Sequence, residues 1–267
     1  MIAEQEVIER VPTPLVAVVE LSVVIPAYNE AERIGDTIRV TAQELSRLDC
    51  CYEIVVVDDG SKDLTHRLAS EAASSLADLE RGTVRIVSYE QNCGKGRAVK
   101  FGTAQTRGKV VAFLDADMEL HPKLLRPMLE LRDRTGADIV IGSKRHPESV
   151  VNYPVERKIY STLYYYLVNL LFGLPVRDTQ TGIKVVPGAF ARGVLPGLHV
   201  NRFAYDLEML VVAHRLGLAI AEAPIELNFG RRFRRIGTAA IKGICLDTLS
   251  IWWRSHFTPL PEYPVSD

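Results

Sequence analysis

The chain has 267 residues, 47% hydrophobic and 24% charged, with a formal net charge of −1. That length and balance suit one large soluble domain, and the near-neutral charge argues against a nucleic-acid binder, which needs a strongly basic face. The four cysteines (Cys50, Cys51, Cys93, Cys245) and six histidines show no paired ligand spacing, so zinc and disulfide-framework readings are set aside and a reducing compartment is expected. Residues 1–14 carry acids and prolines, not a basic region before an apolar core, and read as an N-terminal extension without a signal peptide.

From residue 21 the pattern alternates. Apolar runs at 21–26, 53–57, 84–88, 110–114 and 137–141 predict strands. Between them, helical spacing covers 30–48, 65–76, 96–106 and 122–132, the last interrupted by Pro127. Ser61 and Asp63 are the candidate caps of the second helix. This alternation predicts a mainly parallel sheet with helices on both faces. The second half is less regular: a helix over 155–172, a strand near 182–186, a helix over 205–216, an extended segment over 219–229 and a last helix over 238–256. That last helix is expected to be amphipathic, with Ile241, Ile244, Cys245, Leu249 and Trp252 along one side. The longest charge-free stretch, 159–176, contains tyrosines, Asn169, Gly173 and Pro175; a core or membrane-surface helix suits it better than a span. One domain over 21–257 with a short tail, 258–267, is the simplest organisation.

In open α/β sheets ligands gather at the carboxyl ends of the strands, and the polar clusters fall there. The first strand ends in Pro26-Ala27-Tyr28-Asn29-Glu30, the second in Asp58-Asp59-Gly60-Ser61-Lys62-Asp63. The third leads to Asn92-Cys93-Gly94-Lys95-Gly96, and the fourth ends in Asp115-Ala116-Asp117. Residues i and i+2 of an extended chain share a side, so Asp115 and Asp117 converge just past the strand. Two close carboxylates need a cation or a proton, and Mg²⁺ or Mn²⁺ carrying substrate phosphates fits them; taken alone, the pair also reads as an acidic turn capping the strand. No GxGxxG follows the first strand, and neither GxxxxGK[ST] nor GxSxG occurs, which counts against dinucleotide, P-loop and serine-hydrolase chemistry.

Taken in order, these motifs resemble the inverting, GT-A-fold (Rossmann-like) nucleotide-sugar glycosyltransferases of family 2, and among them the polyprenyl-phosphate (dolichyl-phosphate) glucosyl- and mannosyltransferases. Val24 to Glu30 match VIPAYNE, Val57 to Ser61 with Asp63 and Thr65 match VDDGSxDxT, Asn92 to Ala98 match NxGKGxA, and Asp115 to Asp117 match DAD. Asp178-Thr179-Gln180-Thr181-Gly182-Ile183-Lys184 resembles DTQxGxK, and Arg202 to Glu208 resembles RxxFDxE with Tyr205 in place of Phe. The resemblance implies that Glu30 accepts from ribose hydroxyls, that Asp59 reads the base edge, and that Pro26 and Tyr28 shape the nucleoside pocket. It also places Ala27, Asp58, Lys95 and Ala116 among the nucleotide-binding positions. Asp117 then binds the metal, with Asp115 helping on metal or ribose, Glu119 is a further ligand if the chain stays extended, and Gln180 contacts sugar or diphosphate.

The implied reaction moves a hexose from UDP-glucose or GDP-mannose to polyprenyl phosphate. A lipid phosphate is already anionic and needs positioning more than deprotonation. Cationic candidates are Lys144, Arg145, Arg157 and the run Arg231-Arg232-Phe233-Arg234-Arg235, with Arg232 at its centre. Relatives often carry Gly-x-Ser-Lys where this chain has its arginine-rich 230–237. A soluble or protein-linked acceptor is the alternative, in which Asp206 would serve as base; a catalytically silent fold is opposed by intact Glu30, Asp59, Asp115 and Asp117. Without an evident membrane helix, association is expected to be peripheral, on the cytoplasmic face, with basic residues beside the last helix docking it to an anionic leaflet.

Overall fold

A computed structural model describes residues 18–151, 155–202, 204–227 and 238–263, the side chains of 155–160 and 238–242 excepted. The strands are β1 (Leu21–Ala27), β2 (Tyr52–Asp59), β3 (Gly82–Tyr89), β4 (Val110–Phe113), β5 (Ile139–Ser143), β6 (Val150–Val151), β7 (Lys184–Pro187), β8 (Ile220–Pro224) and β9 (Glu226–Leu227). The helices are α1 (Ile34–Leu45), α2 (Thr65–Ser74), α3 (Lys95–Ala104), α4 (Leu125–Thr135), α5 (Val155–Phe172), α6 (Gly188–Gly193), α7 (Tyr205–Arg215) and α8 (Thr238–Phe257).

The main sheet has seven strands in the order β3-β2-β1-β4-β7-β5-β8. β7 alone runs against its neighbours, so the sheet is mainly parallel, as the sequence predicts. All eight residues of β2 are buried, the signature of a strand covered on both faces. Alternation sorts the strands between two cores. Val24, Val55, Val57, Val87, Val111 and Phe113 face the layer that holds α3, α6 and α7. Val23, Ile25, Ile54, Val56, Ala112 and Leu114 face α1, α2 and α4. Burying a side chain of this size contributes about 1.5–3 kcal/mol, so a one-residue slip of any central strand would be heavily penalised.

Several expectations shift at their edges. Pro127 does not break its helix: a 3₁₀ turn over Pro122–Leu124 precedes α4, and Pro127 falls in the first turn, where its missing N–H costs no helix bond. The N-cap position of α2 is Leu64, so neither candidate cap occupies it; Asp63, one residue earlier, accepts from Thr65 N at 3.0 Å. The expected apolar stripe of α8 is a correction. Thr248 and Ile251 are buried, while Cys245 and Leu249 are exposed. Polar and apolar residues are interspersed around α8, so its pattern could not select a face. The choice is made by Arg254, whose Nη2 donates to Glu208 on α7 at 3.0 Å, and by a Tyr164–Thr248 hydroxyl pair to α5.

Candidate active site

β1 pairs in parallel with β2 and with β4, so their carboxyl ends form one rim. The turn after β1 is laced to the turn after β2. Asn29 N donates to Ser61 Oγ (2.9 Å), Glu30 N to Thr65 Oγ1 (2.8 Å) and Lys62 N to Asn29 Oδ1 (2.8 Å). Asn29 is left-handed (φ 54°), which asparagine tolerates better than most residues. This brings a half-buried Glu30 to the rim beside an exposed Tyr28, with Pro26 partly covered and Ala27 buried below.

Neighbouring strand residues point to opposite faces, and Asp58 and Asp59 accordingly differ. Asp59 Oδ1 accepts from Tyr89 Oη (2.6 Å) and Cys93 N (2.8 Å), and its Oδ2 from Asn92 Nδ2 (2.8 Å) and Gly94 N (2.9 Å). The carboxylate expected to read a base edge is therefore engaged by its own chain and orders the loop ahead of Lys95. Asp58 accepts one backbone N–H, from Ser61 at 3.0 Å, and has His66 Nδ1 3.5 Å away; it keeps more acceptor capacity at the rim.

Past β4, α1 grips the Asp-Ala-Asp backbone. Thr37 Oγ1 donates to Ala116 O (2.7 Å), and Arg33 Nη1 donates to Asp117 O (2.6 Å). The chain then turns rather than staying extended. Met118 is left-handed (φ 59°), and Asp117 Oδ1 accepts from Glu119 N at 3.0 Å. The premise for Glu119 as a same-side ligand thus does not hold. Burial, followed by the Asp115 charge, pushes the Asp117 carboxyl above the usual carboxylate range; burial and then Asp117 do the same to Glu30. Asp115 goes the other way: burial would raise it, but Lys95 Nζ, 2.7 Å from its Oδ1, holds it low.

Asp117 and Glu30 are both pushed toward the neutral form, with Asp115 among the causes, so a cation close to the acidic turn would favour their charged forms. Among the described residues no group of three or more His, Cys, Asp or Glu is placed to hold a metal ion. Two carboxylates are what Mg²⁺ or Mn²⁺ uses when phosphate oxygens and water supply the remaining ligands.

Opposite the acids lies the turn before β7. Asp178 accepts from Gln180 N (3.0 Å), Lys144 N (3.0 Å) and Thr181 Oγ1 (2.6 Å), which seats Gly182 against Asp115. The buried Nε2 of Gln180 has no hydrogen-bond partner, a donor left over for a ligand. Asp206, the candidate base, is not free. Its Oδ1 lies 2.6 Å from Nζ of Lys184, a lysine buried in β7. Glu208, in the same first turn of α7, accepts from Val200 N (2.7 Å) and Arg254, and is structural.

Arg145 Nη2 donates to Ser161 Oγ and Thr162 Oγ1, both at 3.1 Å, with its guanidinium 5.0 Å from the Tyr165 ring centre. Arg232 and the side chain of Arg157 lie outside the described residues. The last described residue before the arginine run, Leu227, bridges to Leu120, three positions after Asp117. Arg33 and Lys184 were not singled out in the sequence. Arg33 carries no signal there, whereas a lysine inside the apolar run Ile183-Lys184-Val185-Val186 is one.

Comparison with known proteins places this geometry. The family model described as glycosyl transferase family 2 matches residues 22–191. A dolichyl-phosphate beta-glucosyltransferase of Trichomonas vaginalis is 30% identical over 97% of this chain and 81% of its own length. One from Dictyostelium discoideum is 33% identical over 77% of this chain and 65% of its own length, so the chain spans about two thirds of that relative. Among solved structures, glucosyl-3-phosphoglycerate synthase from Mycobacterium tuberculosis with UDP superposes with a TM-score of 0.65 at 22% identity, over 90% of this chain and 81% of that one. The same protein with Mn²⁺, UDP and glucosyl-3-phosphoglycerate gives 0.64 at 24% identity, with the same coverage. At that identity the likeness is one of fold.

Proposed function

The chain belongs to glycosyl transferase family 2, and we propose that this glycosyltransferase moves glucose from a nucleotide sugar to a polyprenyl phosphate, with inversion at the anomeric carbon. Asp115 and Asp117 would hold Mg²⁺ or Mn²⁺ against the donor's diphosphate, and Glu30, Tyr28, Pro26 and Asp58 would receive the nucleoside. When bound, the cation supplies charge neutralisation for the departing nucleoside diphosphate. Gln180 Nε2 is the donor available to the sugar or diphosphate.

One observation carries the choice of acceptor. Asp206, the carboxylate that a hydroxyl acceptor would require as base, is bound to Lys184 at 2.6 Å. A phosphate oxygen needs no base. It needs cations and an in-line approach; β9, the last described element before the arginine run in the sequence, bridges to Leu120 just after the acidic turn. The names of the relatives, dolichyl-phosphate beta-glucosyltransferases, agree with glucose and a lipid phosphate.

Such an acceptor requires a membrane surface. Among the described residues no helix is long and apolar enough to cross a membrane. α5 and α8 pack on each other yet leave apolar faces in solvent: Leu163, Tyr166 and Leu170 on one, Leu246, Leu249, Trp253 and Phe257 on the other, with Leu170 84% exposed. Arg157 and Lys158 stand in the first turn of α5, and the arginine run precedes α8. Apolar faces bearing Trp and Tyr beside cations suit peripheral docking to an anionic leaflet on its cytoplasmic side.

The test incubates the chain with Mn²⁺, radiolabelled UDP-glucose or GDP-mannose, and a short polyprenyl phosphate. Label from UDP-glucose entering the organic phase is expected. Label recovered only in an aqueous product would replace the lipid acceptor with a soluble one, and preference for GDP-mannose would overturn the choice of sugar.

A further inference from the structure

The acids and lysines of the site form an alternating line. Asp115 Oδ1 is 2.7 Å from Lys95 Nζ, Lys95 Nζ is 3.9 Å from Asp206 Oδ2, and Asp206 Oδ1 is 2.6 Å from Lys184 Nζ. Three of the four members are held by neighbouring groups. Asp115 is backed by the Gly182 backbone. Lys184 is fully buried and also donates to Thr181 O, and it fixes Asp206. The exception is Lys95. Its backbone is clamped, since Gly94 and Gly96 on either side press against Asn201 and Tyr205 so closely that a β-carbon at either would meet them at 2.6 Å. Its ammonium ends a flexible stem, 24% exposed, with one carboxylate in contact and a second just beyond contact.

The Oδ1 that Lys95 holds is the Asp115 oxygen farther from Gly182: a β-carbon there would lie 2.9 Å from Oδ1 and 1.8 Å from Oδ2. A divalent ion approaching Asp115 meets an ammonium of like charge already bound there. We propose that Lys95 is a built-in counter-ion: it neutralises Asp115 in the metal-free protein and releases it to a divalent cation, shifting its ammonium toward Asp206 as a second berth. This rests on the reading of Asp115 and Asp117 as metal ligands. It also explains an acid at 206 that is locked in place and is not a base: Asp206 keeps a displaced lysine charge balanced inside the site. A bound diphosphate offers Lys95 a further anionic partner. Nucleotide therefore favours the released position, and metal and nucleotide strengthen each other's binding reciprocally.

The experiment measures Mn²⁺ binding to the full chain by the electron paramagnetic resonance signal of free Mn²⁺, with and without UDP, for the wild type, Lys95→Met and Lys95→Gln. A neighbouring charge changes a carboxylate's preference for a cation by about one to three decades. Both variants are expected to bind Mn²⁺ about tenfold more tightly than wild type without nucleotide, and to gain less from UDP. A purely structural lysine would give the opposite sign, because damage to the site weakens binding. Unchanged or weaker Mn²⁺ binding in the variants, with the wild type binding normally, overturns the proposal. Absence of Mn²⁺ binding in every protein even with UDP overturns the metal reading itself, a separate result. Circular dichroism shows which variants are folded, and either one alone suffices.

Discussion

The Asp115 carboxylate rests on the α-carbon of Gly182: a β-carbon at position 182 would lie 1.8 Å from Asp115 Oδ2. Two segments far apart in the chain thus meet without room for a methyl group. Glycine at 182 is required by this approach rather than by backbone conformation. Gly182→Ala is expected to displace Asp115 and to cost about 1–3 kcal/mol, the usual range for an overpacked interior. Metal-dependent nucleotide binding should fall by at least about tenfold, measured by calorimetry with UDP and Mn²⁺. A Gly182→Ala protein with unaltered binding would show that the contact is immaterial.

Asp117→Asn removes one charge from the acidic turn while keeping its shape and its oxygen for Glu119 N. Turnover is expected to fall on the order of 100- to 1000-fold, equivalent to several kcal/mol of lost charge stabilisation. Chelation of divalent ions from the wild type should have the same effect and be reversed by Mn²⁺. Radiolabel transfer is the readout, and turnover indifferent to both treatments would remove the acidic pair from the chemistry.

Asp206→Asn separates a base from a structural counter-charge. Lys184 is buried on all sides and would be left with a carbonyl and a neutral amide. Breaking such a pair costs about 3–5 kcal/mol, so the melting temperature should drop clearly. A variant of wild-type stability that is inactive with every acceptor would instead make Asp206 a true base.

At the opposite, amino-terminal end of β2, Glu53 is wholly buried and binds Ser22 Oγ (2.7 Å), Arg107 N (2.5 Å) and Arg85 Nη2 (2.8 Å). Burial alone would raise its carboxyl, but these donors outweigh it and hold Glu53 below the ordinary value of 4.5. A carboxyl lowered in the folded state adds stability that is complete above the unfolded value and lost as pH falls through the folded one. Acid unfolding should therefore steepen below about pH 4.5. Glu53→Gln should lower stability at neutral pH by about 3 kcal/mol and flatten the acid limb, as followed by urea titration across pH.

Membrane docking predicts that Trp253, 60% exposed, shifts its fluorescence to the blue on vesicles containing anionic lipid and no polyprenyl phosphate. Trp252→Phe leaves Trp253 as the only tryptophan reporter. In a separate flotation assay, Leu170→Glu should reduce vesicle binding about tenfold or more, since each large apolar side chain contributes about 1.5–3 kcal/mol when buried. Equal flotation of wild type and variant would locate the docking surface elsewhere.

The sequence by itself determined the sheet, the parallel sense of its first four strands and the rim on which the acids collect. Those follow from local causes: apolar runs of strand length, helical spacing between them and polar turns at each carboxyl end. It also pointed to Asp115 and Asp117, though through the polar clusters and motifs at the other strand ends, since an acidic pair alone reads equally well as a turn capping a strand. Only the tertiary structure decided what each remaining acid does. Asp59 is saturated by the loop that precedes Lys95, Glu119 is carried off its expected side by the turn at Met118, and Asp206 is tied to Lys184 from a strand running the other way. A carboxylate's role depends on which donors reach it first. Those donors come from residues tens of positions distant, brought together by packing that no local pattern records. The face of α8 was undetermined for the same reason: a helix whose polar and apolar residues are interspersed is oriented by its partners, here Glu208 and Tyr164, and not by its own periodicity.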